Sequence, residues 1–461
     1  MKIAFVSQPF DAVLPPRQNS IGLWTYEVAR RLAREHEVSV YLKGGRFAWR
    51  REHHSNVHYH HVPMAPDIAL LGLLRRLPAS RSAKRPLFAS QFNYLGYAWQ
   101  VARDLRQQRC DVVHLINFSQ FVPIVRALNP NATIVLNMRC EWLTQLDHAM
   151  IVRRLAKIDS VLGCSDYVTS KIRESFPGFA DRCKTSHNAV DTGVFVPGGG
   201  SPQKPNESVK RLLFVGRVSP EKGLHVLLHA FRLVVDQFPE VRLDIVGPQG
   251  QLPLAYFIAL SGDKQMTDLT RYYAADAVHG YVKHLQNQAV ALGLTDKVLF
   301  HGSRSHAQLL HHYQQADVFV FPSAWNEPFG VPPIEAMATG VPVIASRAGG
   351  IAETVDHGKT GLLVEPNDDK ALSNAMLCLL RNDRLSTAMG KAGRQRAVEY
   401  FSFDRLAERL VDHYFGLCAN HESIDTKHFR ERWRRQFRLS PASRTAEPRR
   451  RIPAARSTKA Y

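Results

Sequence analysis

From Ala316 to Gly350 the sequence reads as a strand, a loop, a helix and a second strand, and that order leaves few folds open. Asp317-Val318-Phe319-Val320-Phe321-Pro322 is apolar without alternation, as expected of a strand covered on both faces in a parallel sheet. The polar loop Ser323–Gly330 follows, and a helix is predicted to open at Val331-Pro332-Pro333, because proline is tolerated where a helical amide has no partner. Open sheets of this kind bind ligands at the carboxyl edge of their strands. The loop therefore brings Glu327, Gly330 and the amides of a helix start to a place suited to an anion.

Two carboxylates, Glu327 and Glu335, bracket this turn and can each accept hydrogen bonds from ligand hydroxyls. They would repel a phosphate, so cations must come from elsewhere. A second strand-loop-helix edge upstream, Arg211 to Leu224, supplies them: its strand ends at Gly216, and Arg217 and Lys222 project from the loop. A forked guanidinium beside a compact ammonium suits a diphosphate.

Together these residues resemble the retaining nucleotide-sugar glycosyltransferases of the GT-B fold, glycosyltransferase family 4. The match rests on Gly216-Arg217 with Lys222, on Glu327 and Glu335 around Phe329-Gly330, and on Ala336-Met337-Ala338 and Gly340-Val341-Pro342-Val343-Ile344-Ala345. It continues through Gly349-Gly350, Glu353 and Gly358 to Val364, and covers roughly residues 1 to 416. The resemblance implies an α/β protein with two Rossmann-like parallel-sheet domains facing a central cleft. Residues 1–190 would form the acceptor-side domain, 191–208 a hinge, and 209–400 the nucleotide-sugar domain. A helix over 401–418 would cross back to the first domain, followed by a basic tail over 419–461.

The resemblance also implies roles. Arg217, Lys222 and Glu327 would be catalytic, the two cations stabilising the leaving diphosphate and Glu327 holding sugar hydroxyls. Ser20, Gly22, Gly216, Phe329, Gly330, Val331 and Glu335 would bind the donor, with Glu335 on the ribose. The co-substrate would be a nucleotide-diphosphate sugar, with no cofactor and no metal. With no second carboxylate identifiable on the opposite sugar face, front-face attack with retention is the expected course. A nucleotide-sugar-binding protein without transfer activity, and an epimerase or phosphorylase on the same scaffold, are the competing readings.

On the acceptor side the sequence departs from the family pattern. Asn19-Ser20 stand where a Gly-Gly pair is usual, so these residues are read either as amides for the donor or as an ordinary helix cap. Ile116 replaces the second histidine of a His-x-His pair, which leaves His114 as an acceptor contact or a core histidine. Arg139 and Glu141 end a strand and line the acceptor side or form a structural ion pair. Ala189 replaces glycine in Asn188-Ala189-Val190-Asp191.

Charge narrows the partners. The net charge of +19 over 461 residues implies an acidic partner surface or a solubilising coat. No zinc spacing or RNA-recognition signature supports nucleic acid. An anionic membrane is the first expectation, met by the apolar turn Ile68–Leu74 with arginines through Arg85, and by the arginine-rich tail. The same turn is also readable as a core helix with a solvated flank. The acceptor is then a glycan or lipid-linked species, in surface polysaccharide or glycolipid synthesis. Six cysteines without CxxC spacing, a strand-like start and no long apolar run predict a cytoplasmic protein, peripheral at most on the membrane's inner face. The histidines at 53, 54, 58, 60 and 61 are read as polar surface, residues 43–56 as irregular chain, and 248–296 as an insertion carrying extra helices.

Overall fold

A computed structural model describes residues 1–16, 18–74, 84–198, 209–250, 269–273 and 280–419. Its two sheets lie within one compact unit, Met1–Val411; a second unit, Asp412–Tyr461, holds the last turns of the helix Phe403–Cys418. Most of the insertion, Arg75 to Ala83 and the basic tail beyond Ala419 lie outside the described residues.

The first sheet runs β1 (Lys2–Val6), β2 (Glu37–Lys43), β3 (Arg50–His54), β4 (Val57–Val62), β5 (Val112–Ile116), β6 (Thr133–Met138), β7 (Ser160–Gly163) and β8 (Cys183–Thr185). Its spatial order is β3-β4-β2-β1-β5-β6-β7-β8, parallel except for the β3–β4 pair. The second contains β9 (Lys210–Val215), β10 (Val241–Val246), β11 (Val298–Gly302), β12 (Val318–Phe321), β13 (Val343–Ser346) and β14 (Gly361–Val364). It is six-stranded and fully parallel in the order β11-β10-β9-β12-β13-β14. Counted from β9, that is the doubly wound order 3-2-1-4-5-6, whose winding reverses between β9 and β12. The loops after those two strands carry Arg217, Lys222 and Glu327, so topology alone brings them to one crevice. In the first sheet the reversal falls between β1 and β5, and Gln8, Asp11 and Asn117 follow those strands.

Helices cover the second sheet through apolar stripes. In Leu224–Gln237 the side chains Leu224, Leu227, Leu228, Phe231, Val234 and Val235 are buried, at the spacing of one helical face. Burying each such side chain stabilises by roughly 1.5–3 kcal/mol. The chain leaving the first domain and the chain returning to it pair with each other: Val190 N–H donates to Phe401 O (2.8 Å) and Phe403 N–H to Val190 O (3.3 Å). The crossover is pinned by Arg31 of the first helix, Ser20–Leu32. Its guanidinium meets Asp404 (3.0 Å), Asp191 (3.2 Å) and Glu27, and stacks 5.2 Å from the Phe403 ring.

The expectation of irregular chain at 43–56 is corrected. Arg50–His54 is an antiparallel edge strand, because Ser55 (φ 51°) and Asn56 (φ 60°) both adopt the left-handed conformation of a two-residue hairpin turn. The strand has no apolar side chain, so no alternation signalled it. Ile68–Leu74 falls in a helix, Ala65–Leu74, tied down where buried Asp67 accepts the Gly96 N–H (2.8 Å). Ile68 and Leu73 stay 54% and 60% exposed, whereas Leu70 and Leu71 are half-buried. Among the described residues no helix is long and apolar enough to cross a membrane.

Candidate active site

The loops after β9 and β12 are locked together by their backbones. Gly223 (φ +70°) lies against Pro322, where a Cβ would come within 1.9 Å of the Pro322 carbonyl oxygen. Ala324 N–H and Ser323 Oγ both donate to Glu221 O, at 2.9 and 3.3 Å. That contact sets Lys222, at the end of the turn Pro220–Lys222, onto Glu327. Its ammonium pairs with Glu327 Oε1, which also accepts from Trp325 Nε1 (2.8 Å) and Ser323 Oγ (3.3 Å). Both side chains of the pair are nearly buried, 13% and 8% exposed. Among the described residues, every hydrogen bond to this carboxylate uses Oε1, which leaves Oε2 for a ligand hydroxyl.

Arg217 stands beside this pair, with Nη2 on Glu221 (3.1 Å) and Nε on Ser219 Oγ (3.3 Å), and its side chain is 30% exposed. Gly330 (φ +87°) begins the helix Val331–Ala338 without a side-chain cap. Pro332 and Pro333 have no N–H, so this helix start offers an anion the amides of Gly330 and Val331. One turn on, buried Glu335 accepts from Tyr313 OH (2.8 Å) and faces His306 Nε2 (3.5 Å). Burial first, and Glu335 second, push the Tyr313 phenol far above its ordinary pKa, so it remains a donor. The hydrogen bond to Glu335 raises the His306 pKa against the opposing effect of burial.

Several expected donor contacts are engaged by protein. Asn19 caps the first helix, its Oδ1 accepting from Gly22 N–H (2.7 Å) and its Nδ2 donating to Asp11 (3.0 Å). The Gly22 amide is therefore occupied; what requires glycine there is the Ala12 carbonyl oxygen, 1.9 Å from where a Cβ would lie. Ser20 is exposed at the first helical position. Phe329 is buried, edge-on to Phe401 at 5.9 Å and 6.0 Å from the His187 ring, so it packs the domain junction. Gly216 directly follows β9, between the Val246 carbonyl it donates to (3.0 Å) and the Arg217 loop.

On the acceptor side, His114 is fully buried within β5, between Phe5 (4.9 Å) and Trp24 (5.7 Å), with Nε2 3.0 Å from Asn137 Nδ2. Its ring is enclosed in the core of the first sheet. Glu141 pairs with Lys171 (2.6 Å) and accepts from Tyr167 OH (3.1 Å), which makes it structural. Arg139 differs from both. Its guanidinium lies 4.3 Å from the Trp24 ring and donates through Nη2 to Asn188, while Nη1 is buried with no hydrogen-bond partner. Burial pushes its pKa down to about 10, so it remains a cation at neutral pH.

Sequence reasoning did not assign roles to Trp325, Tyr313, His306 or His187. Trp325 had a signal, an indole N–H two residues from Glu327 in a polar loop; the other three meet their partners only in three dimensions. Glu353 was matched without a role. It accepts from the backbone N–H groups of Asp166 and Tyr167, both at 2.6 Å, and lies 3.0 Å from His187 Nε2. Asp166, His187 and Glu353 offer ligand atoms within 4.8 Å of one another, the one such cluster among the described residues.

Two family models match the chain. Residues 201–396 match glycosyl transferases group 1, and residues 21–194 match Glycosyltransferase Family 4. Spore coat protein SA of Bacillus subtilis (strain 168) is 27% identical over 431 residues, 90% of this chain and 99% of that protein. A D-inositol 3-phosphate glycosyltransferase of Corynebacterium urealyticum is 31% identical over 272 residues, 56% of this chain and 57% of that protein. Among solved structures, sucrose-phosphate synthase from Thermosynechococcus elongatus superposes with a TM-score of 0.66 at 21% identity, covering 91% of this chain and 99% of that one. HepE of Anabaena in complex with UDP and glucose does so at 0.62 and 20% identity, covering 90% and 99%. Both share the two-domain fold.

Proposed function

Because the chain belongs to the group 1 glycosyltransferases, with a family 4 amino-terminal half, we propose that it moves a sugar from a nucleotide-diphosphate sugar, UDP-linked in the first instance, with retention at the anomeric carbon. The observation that carries this reading is the convergence of Arg217, Lys222 and the amides of Gly330 and Val331 beside Glu327 and Glu335 at the switch point of the second sheet. As the glycosidic bond breaks, charge grows on the leaving diphosphate, and fixed cations and amides stabilise it there without reorganising. Glu327 Oε2 accepts a sugar hydroxyl, and Glu335, held by Tyr313, accepts from the ribose. The acceptor hydroxyl attacks on the same face, and its proton passes to the leaving phosphate oxygen. No step requires a metal.

The acceptor we propose is a sugar, glycan or lipid-linked species bearing an anionic group, of the kind used in cell-surface glycan assembly. Arg139, a cation with one buried nitrogen that has no hydrogen-bond partner, supports that reading, because a buried donor left unpaired is costly. Relatives named for D-inositol 3-phosphate and for sucrose phosphate agree with it. The exposed apolar helix Ala65–Leu74 supports peripheral contact with an anionic membrane.

The deciding experiment incubates the protein with UDP-, GDP- and ADP-sugars, with and without EDTA, beside Arg217→Ala. Metal-independent release of one nucleotide, lost in Arg217→Ala, is expected. Product of inverted configuration refutes the front-face course, and loss of release in EDTA refutes the metal-free one.

A further inference from the structure

We propose that Glu353 is a positioning residue, a latch by which the donor-binding domain grips the acceptor-side domain and fixes Glu327 over the acceptor. The helix Asp166–Ser175 begins the stretch after β7, in the first domain. Among the described first-turn amides, the side chain of its own cap, Ser165, accepts from Val168 N–H alone, at 3.0 Å. The remaining first-turn amides, Asp166 and Tyr167, are satisfied by a carboxylate from the other domain, one on each Glu353 oxygen and both at 2.6 Å. A carboxylate at a helix start gains from charge-assisted hydrogen bonds and from the helix dipole together. His187, just after β8 in the first domain, closes on the same carboxylate at 3.0 Å.

The segment bearing Glu353 is also the segment that holds the catalytic loop. Gly350 N–H donates to Glu327 O (2.8 Å), Glu327 and Gly349 form a bridge, and a Cβ on Gly349 would lie 2.3 Å from that same oxygen. Cys164 Sγ meets Pro328 O at 3.5 Å, and a Cβ on Gly350 would lie 2.9 Å from Ser165 Cβ. The chain from Glu327 to Glu353 is thus one body clamped onto Cys164–Tyr167 of the first domain. Among the described residues no hydrogen bond or ion pair joins Arg217 or Lys222 to Cys164–Tyr167, and Lys222 reaches the clamped body through Glu327. Both Glu353 oxygens are occupied by backbone amides, which argues against a metal centre at Asp166, His187 and Glu353 and for a hydrogen-bonded latch.

The test uses the full chain with Glu353→Ala and, on the other side of the contact, Asp166→Pro beside Asp166→Ala. Proline suits the first position of a helix and removes the backbone N–H that reaches Glu353 Oε2, leaving only His187 there, whereas alanine keeps it. Expected for Glu353→Ala is nucleoside diphosphate binding within about threefold of native by calorimetry and a fall in kcat of about 10²-fold, the size of effect that misplaced reacting groups produce. Hydrogen exchange at residues 166–168 should rise, and small-angle scattering with UDP bound should report a larger radius of gyration. Asp166→Pro should follow it and Asp166→Ala should not. Native-like kcat, exchange and scattering in Glu353→Ala overturn the latch, as does loss of nucleotide binding in proportion to activity, which would place Glu353 in the donor site. The kinetic arm rests on the transfer reading; exchange and scattering decide the latch even if no donor turns over.

Discussion

Glu327→Gln is expected to bind UDP more tightly than the native chain while transferring sugar more slowly. Lys222 is the reason: its ammonium is paired with Glu327 inside the crevice, and a diphosphate arriving there needs the same group. Two anions bridged by one ammonium sit roughly 5.5 Å apart, the sum of two hydrogen-bonded contacts. With an effective dielectric constant of about 20, their mutual repulsion is ~3 kcal/mol. Solvent and the neighbouring Arg217 screen part of it, and if half is realised the substitution releases ~1.5 kcal/mol, a tenfold fall in Kd. The substituted amide keeps an oxygen for Trp325 Nε1 and Ser323 Oγ, so the loop should hold its shape. On the proposed reading transfer loses the carboxylate that accepts a sugar hydroxyl, and kcat should fall about 10²-fold, as when one preorganised polar group is removed from a transition state. Titration calorimetry with UDP on the native chain, Glu327→Gln and Lys222→Met decides it. A Kd for Glu327→Gln equal to or weaker than native refutes the reasoning, and so does Lys222→Met binding UDP as tightly as native.

The remaining predictions concern the hinge, the acceptor side and the surface. Arg31→Met strands Glu27 and Asp191 around a side chain that is 4% exposed; the loss should be about 3 kcal/mol, at the low end for a broken buried pair because Arg30 still reaches both and Asp404 is half exposed. Burial alone would lower the Arg31 pKa, yet Asp404, Asp191 and Glu27 together raise it, and denaturant melts should show the shift in midpoint without loss of cooperativity. Arg139→Met should raise the acceptor KM about tenfold or more, the worth of a charged hydrogen bond, and leave UDP affinity alone; unchanged acceptor kinetics would remove the anionic acceptor from consideration. Ile68→Glu with Leu73→Glu should cost under about 0.5 kcal/mol in stability, since both side chains are exposed, yet reduce sedimentation with anionic vesicles about 10²-fold. Equal sedimentation of the two proteins would dismiss this helix as a membrane contact.

What the sequence could show followed from where its signals are local. Continuous apolar runs marked β5, β6, β9, β12 and β13, and the prolines after Val331 marked a helix start, because strands and caps are written in neighbouring residues. The second sheet's candidate site was legible as a cluster for the same reason: Arg217, Lys222, Glu327 and Glu335 each lie next to a recognisable strand or helix end. The edge strand Arg50–His54 was not legible, since its five residues are all polar and its hairpin turn, Ser55-Asn56, lacks the glycine that usually announces one. His114 was undecidable from its neighbours. Only the approach of Phe5 and Trp24, from other elements, shows that its ring is enclosed.

The latch shows why a carboxylate can match a family pattern and still hide its role. Glu353 sits in a four-residue helix, exposed enough by sequence to pass for surface, and its partners are backbone amides, which have no residue identity to read. Arg217 and Lys222, the cations proposed for the donor, follow strands of one sheet and can be assembled by that sheet's topology alone. Placement of the acceptor against the donor cannot, because it requires a contact between the two sheets' domains that neither forms by itself. Dividing the labour in this way separates two measurable quantities. Substitutions at Arg217 and Lys222 should move nucleotide affinity and rate together, whereas substitutions at Glu353 should move the rate while affinity stays put. A protein in which the two sets of variants behaved alike would have its domains fixed by other contacts, such as the Val190–Phe401 crossing, and the clamp at Asp166 would be only a helix cap.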